Sequence, residues 1–293
     1  MLNLKALSHI IIVVVSLMLF NLPSVQAKEE LYGNEPANEI QDIIKRGKLV
    51  VAMYSKDAPP FYFVDKNNQL TGFDVVLIEG FAKLLGVPVE FDRSANFLDD
   101  IITKVQNHDA DVAISKLSMT FKRASRVLFT EPNVNLHQAL LINRLELTKQ
   151  LHGRPQEEAI QNLSGKLGVV ARSSYIDYAK HFKNMKVVTY ISWKLAVEDV
   201  REGKITAAFR DDAEIKLVLR DHPEYALDLM SVLLKDAIDP KGIAVAIDHD
   251  QLKNLLNFYL KTLDWHVTGD VMINNYDNEM ARLKQKIAMQ EEQ

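Results

Sequence analysis

Apolar residues along the chain alternate between short continuous runs and helical spacing. The first half contains the runs LVVAM (49–53), VPVEF (87–91) and DVAI (111–114), and each predicts a buried strand. Apolar residues between these runs, such as Leu77 and Phe81, keep the spacing of an α-helix. The order strand–helix–strand–helix–strand is typical of an α/β protein with a mainly parallel sheet.

A second set of the same kind follows. KLGVV (166–170), KVVTYI (186–191) and ITAAF (205–209) predict three more strands with helices between them. ALLINR (139–144) and GIAVAI (242–247) predict further strands. The pattern therefore predicts two similar α/β halves.

Individual residues predict the loops and helix ends between these elements. The pair Pro59-Pro60 predicts a loop, and Asp74 stands where the N-cap of the following helix is expected. A polar segment over 147–164 has weak apolar spacing and predicts no clear element.

The N-terminus has the layout of a secretory signal peptide. An apolar run over 10–20 is followed by Val25-Gln26-Ala27, which is typical of a cleavage site, so residues 1–27 are predicted to be removed. A membrane span needs about 20 apolar residues, and this run has only 11. The alternative interpretation is an uncleaved N-terminal anchor. Residues 28–46 are then an N-terminal extension, and residues 277–293 a charged amphipathic tail.

Composition narrows the class of protein. The chain of 293 residues has a formal net charge of −4, which does not favour a nucleic-acid partner. It contains no cysteine, which excludes disulfides, thiol catalysis and attachment through a lipid-modified cysteine. The eight histidines are scattered without metal-ligand spacing, so we expect no metal or cofactor. An exported, untethered protein of this kind suits a bacterial periplasm.

Polar residues follow three of the predicted strands, where ligands of parallel α/β sheets bind. Arg123 lies in the segment that follows DVAI, and its planar guanidinium suits a carboxylate. A surface arginine paired with Glu131 is the alternative. Ser173 and Ser174 follow KLGVV at a predicted helix N-terminus, which favours an anion unless they only cap the helix.

The third segment supplies an acid. Asp211 follows ITAAF almost directly, where a carboxylate either caps a helix or meets a cation. Taken together, Arg123 and Asp211 describe a ligand with a carboxylate and an ammonium group, which is an α-amino acid.

The order and spacing of several stretches carry a family resemblance. GKLVVAM, APPFYF, LTGFDVVLIEGFAKLLG, DADVAISKLSMTFKRASRVLFTEP, LSGKLGVV, GKITAAFRDD, GIAVAI and LNFYL run from about Gly47 to about Tyr276. The chain resembles bacterial extracellular solute-binding proteins of family 3, the periplasmic amino-acid receptors of ABC transporters. The resemblance implies a type II periplasmic-binding-protein fold, with two lobes that are each a mainly parallel sheet flanked by helices. It places lobe 1 at 47–137 with 238–276, lobe 2 at 140–234, and two hinge strands between them.

The resemblance also assigns roles in an interlobe cleft. Arg123 would hold the α-carboxylate, and Asp211 the α-amino group. Four serines would assist at the carboxylate: Ser115, Ser118, Ser173 and Ser174.

This sequence departs from the family pattern at positions near the cleft. Lys116 replaces a small residue, Arg172 replaces a glycine, and Phe97 is the candidate for the aromatic that covers the ligand. The two added cations suggest a ligand with a second acid group, such as glutamate or a dicarboxylate, unless both side chains point to solvent.

The predicted protein is therefore a monomeric periplasmic receptor without catalysis. It would deliver an amino acid or a dicarboxylate to an inner-membrane ABC permease. Two alternatives remain open: a small dehydratase on the same fold, and a ligand-poor signalling or accessory protein.

Overall fold

A computed structural model describes residues 38–265 and 267–291. The predicted signal peptide and the first part of the predicted extension lie outside these residues. The strands are β1 (Leu49–Tyr54), β2 (Phe63–Val64), β3 (Leu70–Thr71), β4 (Val89–Ala95), β5 (Val112–Ala113), β6 (Leu128–Phe129), β7 (Val134–Asn143), β8 (Gly165–Val170), β9 (Met185–Tyr190), β10 (Ala207–Asp211), β11 (Leu229–Lys241) and β12 (Ala244–Val245). The α-helices are α1 (Asn38–Arg46), α2 (Phe73–Leu84), α3 (Leu98–Gln106), α4 (Phe121–Ala124), α5 (Arg144–Leu151), α6 (Gln156–Gln161), α7 (Tyr175–Tyr178), α8 (Trp193–Arg201), α9 (Asp212–Asp221), α10 (Asp250–Leu263), α11 (Gly269–Asn274) and α12 (Tyr276–Glu291).

Ten of these strands form two five-stranded sheets, each of which is the centre of one lobe, and β2 and β3 pair as a separate two-stranded sheet. The first sheet has the order β4-β1-β5-β12-β6, and the second has the order β11-β7-β10-β8-β9. The predicted two-lobed α/β fold is confirmed. Each sheet is mixed, however: β1 is parallel to both neighbours and β8 to both of its own, whereas β12 and β7 pair antiparallel on both sides.

Two long strands carry the chain between the sheets. β7 leaves the first sheet after β6, and β11 returns the chain to β12. They pair antiparallel from Val134↔Lys241 to Asn143↔Leu229, with a register shift between Leu233 and Ile238. This pair matches the two predicted hinge strands, and the exact lobe boundaries stay a prediction.

The start of α2 differs from the sequence interpretation. Its N-cap is Gly72, which has φ 122, a left-handed value at which a Cβ would overlap the backbone of Phe61. Asp74 is the second residue of the helix, and its buried carboxylate accepts a hydrogen bond from the backbone N–H of Lys116 at 2.6 Å. The predicted N-cap role of Asp74 is therefore wrong, because the turn before α2 needs a glycine.

Other elements also depart from expectation in length or kind. The polar segment over 147–164 forms the C-terminal part of α5 and all of α6, which bury Leu147 and Ala159 under the second sheet. The predicted strand over 242–247 pairs only through Ala244–Val245. The described part of the predicted charged tail, up to residue 291, lies within α12, whose apolar residues pack against α2 and α10. Among the described residues, no helix has the length and hydrophobicity that a membrane crossing requires.

Candidate functional site

The ends of β5, β8 and β10 meet around one cavity of about 200 Å³ between the two sheets. The segments 115–118, 170–175 and 210–214 all contribute side chains to its wall. Tyr62 and Phe97 from the first lobe and Trp193 from the second complete much of the rest. The structure thus brings the three polar strand-end segments together, as their position after parallel strands predicted.

Lys116 points into this cavity and bridges the lobes. Its backbone has φ 47, and its side chain is only 5% exposed. The ammonium Nζ lies 3.1 and 3.0 Å from the two carboxylate oxygens of Asp211, and 2.6 Å from Oε1 of Glu214. Lys116 therefore does not face solvent, and the partner of its ammonium is the acid predicted to hold a ligand.

The charges of this bridge stabilise one another. Burial opposes the charge of Lys116, but the carboxylates of Asp211 and Glu214 outweigh it and raise the pKa of the lysine. Burial likewise disfavours the two charged carboxyls, and Lys116 with Arg210 nevertheless holds the pKa of Asp211 and of Glu214 below its usual range. Asp211 has a second role, since its Oδ1 accepts the backbone N–H of Glu214 as the N-cap of α9.

A second buried lysine lies in the same wall. Lys241, at the end of β11, donates to Oδ2 of Asp239 and, at 2.9 Å, to Oγ of Ser118. The hydroxyl of Tyr175 also donates to Asp239, at 2.8 Å. Burial lowers the pKa of Lys241, because the carboxylates of Asp239 and Asp211 only partly compensate for lost hydration.

Sequence reasoning missed Lys241 and Asp239. The signal that could have found them is the Asp-Pro-Lys triplet, in which two opposite charges stand directly before a predicted buried strand. Charged residues are almost never fully buried unless they are paired.

The four predicted serines are divided between structural and cross-lobe contacts. Ser115 Oγ accepts the backbone N–H of Tyr54 at 2.9 Å, and Ser173 Oγ donates to the carbonyl of Val170 at 2.7 Å. Ser174 Oγ donates across the cleft to Ser118 Oγ at 3.1 Å. All four line the cavity.

Two N–H groups on the second-lobe wall have no hydrogen-bond partner among the described residues. They are Nε1 of Trp193 and Nε of Arg210, and both atoms are buried. The Arg210 guanidinium lies 6.0 Å from the centre of the Trp193 ring, so the two donors belong to one part of the wall. A buried donor without an acceptor is costly, at about 1–3 kcal/mol, which makes this wall suited to an acceptor from a ligand.

Arg172 and Phe97 close the rim. The guanidinium of Arg172 lies 4.1 Å from the centre of the Phe97 ring and donates to Oδ1 of Asp100 at 2.8 Å. Its side chain is 52% exposed, so it meets both the cavity and solvent. The contact joins the second lobe to α3 of the first.

Arg123 does not line this cavity. Its guanidinium donates to Oδ1 of Asp99 through Nε and Nη2, each at 3.0 Å, and to the carbonyl of Ser118 through Nη1. It faces a second cavity of about 400 Å³, which Ser173 and Ser174 also line. Its role as the carboxylate anchor stays a prediction, and the Asp99 pairing is a contact that the sequence did not indicate.

Histidines that are scattered in the sequence meet at one place on the surface. Ligand atoms of His108, Asp248 and His249 lie within 4.8 Å of one another, at a site that is mostly exposed. The sequence spacing did not indicate this group, since His108 is far along the chain from the other two.

Known proteins resemble this chain in sequence and in fold. A family model described as bacterial extracellular solute-binding proteins, family 3, matches residues 49–276. The putative ABC transporter arginine-binding protein 2 of Escherichia coli (strain K12) is 28% identical over 222 residues, which cover 74% of this chain and 86% of that protein. The crystal structure of an ancestral amino acid-binding protein, a precursor of cyclohexadienyl dehydratase, has a TM-score of 0.63 at 27% identity and covers 85% of this chain and 99% of that one.

A longer relative shares the same region. The membrane-bound lytic murein transglycosylase F of Sodalis glossinidius (strain morsitans) is 27% identical over 202 residues, which cover 66% of this chain. This chain spans only 41% of that enzyme. Because the family model matches most of the chain, and the two lobes enclose a polar cavity at their strand ends, this chain belongs to the bacterial extracellular solute-binding proteins of family 3.

Proposed function

We propose that this protein is an exported receptor that captures a small polar carboxylate or amino acid between its lobes, without catalysis. The observation that carries the proposal is the set of direct contacts across the cavity, namely Lys116 with Asp211, Ser118 with Ser174 and Arg172 with Asp100. Groups from both lobes converge on one small volume, as hinge closure around a ligand requires.

The cavity and its relatives favour a small ligand. Its volume of about 200 Å³ lies below the roughly 300–1,000 Å³ of pockets for drug-sized molecules. A relative named as an arginine-binding protein of an ABC transporter supports an amino acid or a related acid as the class of solute. Delivery to an inner-membrane ABC permease, by a monomer released into the periplasm after cleavage at Ala27, completes the proposal.

Catalysis is less well supported by the charges of the site. A general acid must hold a proton near the working pH. Glu214, which lines the cavity, has its pKa lowered by Lys116 and Arg210 despite its burial, so it is ionised at neutral pH. Burial raises the pKa of Asp74 to about 7, but its carboxyl is bonded to the Lys116 backbone and is not part of the cavity wall.

A ligand panel tests the proposal. Purified protein would be examined by native mass spectrometry for a retained ligand, and then by thermal unfolding with amino acids and with small dicarboxylates. A true ligand at 100 times its dissociation constant stabilises the protein by about 2.7 kcal/mol. A panel in which no compound shifts the melting temperature would contradict the proposal.

A turnover assay addresses the enzyme alternative. Prephenate-like acids would be incubated with the protein and followed by NMR, and their concentrations should stay constant. Consumption that depends on the protein would replace the receptor by a dehydratase.

A further inference from the structure

We propose that Lys116 supplies the cleft with a built-in ammonium group, so that the ligand is a small organic anion without an α-ammonium group of its own. Such anions include dicarboxylates and 2-oxo or 2-hydroxy acids. The inference rests on the proposed function, since it names the class of solute for the same cavity.

The acids of the cavity wall are already paired. Asp211 and Glu214 meet the ammonium of Lys116 at 2.6–3.1 Å. Asp57, at the rim, accepts from Nη2 of Arg93 at 2.8 Å and from the backbone N–H of Val64 at 3.2 Å. These are the three acidic residues that line the cavity within the described chain. An incoming ammonium would have to displace Lys116, and so leave that buried lysine without its counter-charges.

Basic residues outnumber the acids around the same volume. Five basic residues line the cavity: Lys56, Lys116, Arg172, Arg210 and Lys241. Three of these groups have partners behind the wall, since Arg172 pairs with Asp100, Lys241 with Asp239 and Asp57 with Arg93. Six bases then face five acids, which leaves a small excess of positive charge, and a cleft with low-dielectric walls concentrates the resulting field. An anion gains from this field, whereas a zwitterion gains less because its ammonium opposes the attraction.

The unpartnered donors show where an anion would bind. Nε1 of Trp193 and Nε of Arg210 are buried without an acceptor among the described residues. Asp211 Oδ2 lies 3.9 Å from Arg210 Nε, which is beyond hydrogen-bond distance. Both residues line the cavity, so a ligand carboxylate at this part of the wall would offer these donors an acceptor, and charge-assisted bonds of this type are the stronger kind.

A further donor serves a second acid group. The ammonium of Lys241 bonds to Ser118 and Asp239, which uses two of its three N–H groups. Because Lys241 lines the cavity, its third N–H can serve a second carboxylate of the ligand. The arrangement therefore fits an anion with oxygens at both ends.

Matched ligand pairs test this inference on the unaltered protein. Isothermal titration calorimetry would compare succinate and malate with aspartate, and glutarate and 2-oxoglutarate with glutamate. We expect the best member without an amino group to bind at least about tenfold more tightly than its amino-acid counterpart, or roughly 1.4 kcal/mol. Equal or tighter binding of the amino acids overturns the inference and leaves the proposed function intact. If neither class binds, the proposed function itself fails and the inference fails with it.

A variant tests the part played by Lys116. Lys116→Gly removes the built-in ammonium at a left-handed backbone position that glycine tolerates. We expect the variant to gain affinity for aspartate or glutamate and to lose affinity for the matched anions, so that the preference reverses. Lys149→Ala, which makes the same charge change on α5 away from the cavity, should keep the original preference. An unchanged preference in Lys116→Gly would show that another group discriminates between the ligands.

Discussion

Lys116 and Lys241 are both buried in the wall of one cavity, yet their environments differ. Lys116 meets two carboxylates from the opposite lobe, and its pKa is raised in spite of burial. Lys241 directly contacts one carboxylate, two residues away on its own strand, and burial lowers its pKa. The two lysines thus differ in the number of carboxylates that they contact directly, and the location of those carboxylates decides whether the pair joins the lobes.

Replacing each lysine by methionine tests this difference with the largest expected effect. Lys116→Met leaves Asp211 and Glu214 buried with Arg210 nearby and Lys241 acting on Asp211 from a longer distance, and removing one partner of a buried ion pair costs on the order of 3–5 kcal/mol. Opening of the lobes hydrates these carboxylates, so we expect a larger radius of gyration in small-angle X-ray scattering.

Lys241→Met is the matched control. Asp239 keeps the hydroxyls of Tyr175 and Ser118 but loses its buried ion pair with Lys241, so we expect a comparable loss of about 3–5 kcal/mol in urea unfolding, with the lobes still closed. Equal expansion of both variants would remove the distinction between the two lysines.

Two arginines also differ, in this case in the cavity that each of them faces. Arg210 lines the cavity with an unpartnered Nε, whereas Arg123 is bonded to Asp99 and faces the second cavity. Arg210→Gln should weaken binding of succinate, used as the probe, by on the order of 2–5 kcal/mol in calorimetry. Arg123→Gln should mainly lower stability in urea. A larger loss of binding in Arg123→Gln would instead support the carboxylate anchor predicted from sequence.

Asp74, whose carboxylate accepts the backbone N–H of Lys116, should make the stability of the protein depend on pH. Burial raises the pKa of Asp74 to about 7 from 3.8, although the Lys116 backbone N–H and ammonium oppose the shift. The folded protein therefore keeps a proton that the unfolded chain loses, so this contribution to stability is fully present below about pH 4 and is lost as the pH rises to 7.

Asp74→Asn should remove that loss, which is on the order of 2–4 kcal/mol. Urea unfolding at pH 5 and at pH 8 would show a smaller difference in the variant than in the unaltered protein. Asp211 contributes in the opposite sense, because its lowered pKa gives stability above about pH 4 that is lost on acidification. A variant that is as sensitive as the parent between pH 5 and 8 would exclude Asp74 as the titrating group.

The smallest expected effect on stability comes from the exposed ion pair between Arg172 and Asp100. Arg172→Ala removes the contact with Asp100 and the position over the Phe97 ring, in a side chain that is 52% exposed. Exposed ion pairs contribute about 0.2–1 kcal/mol, and the closed form should lose no more than that. A double-mutant cycle with Asp100→Asn measures the coupling, and a value similar to that of Lys116 would show that the rim, and not the buried lysine, joins the lobes.

The sequence was informative wherever a local pattern determines the structure. Apolar runs and helical spacing located the strands of both sheets, and the rule for parallel strands brought Lys116, Ser174 and Asp211 to one cavity. The length of β12 and the helices α5 and α6 were missed, because pairing partners and tertiary packing decide such elements.

The partners within the site were harder to predict. Asp211 was expected to meet a ligand ammonium, but an ammonium of the chain itself, 95 residues away, lies there. Arg123 was predicted to bind the ligand because of its position in a family motif. The motif does not indicate that Asp99, which lies on another helix, is within hydrogen-bond distance of its guanidinium. Such pairings depend on how two lobes approach, and no local spacing encodes that.

The left-handed backbone at Lys116 has an evolutionary consequence. A lysine with φ 47 occupies a conformation that asparagine and glycine adopt more readily, and asparagine is one nucleotide away from lysine in the genetic code. The residue that sets the charge of the cleft therefore stands on a segment of chain that would accept its replacement. A single mutational step would therefore change the charge of the cleft at a backbone position that accepts the new residue, while it removes the buried ion pair that joins the lobes.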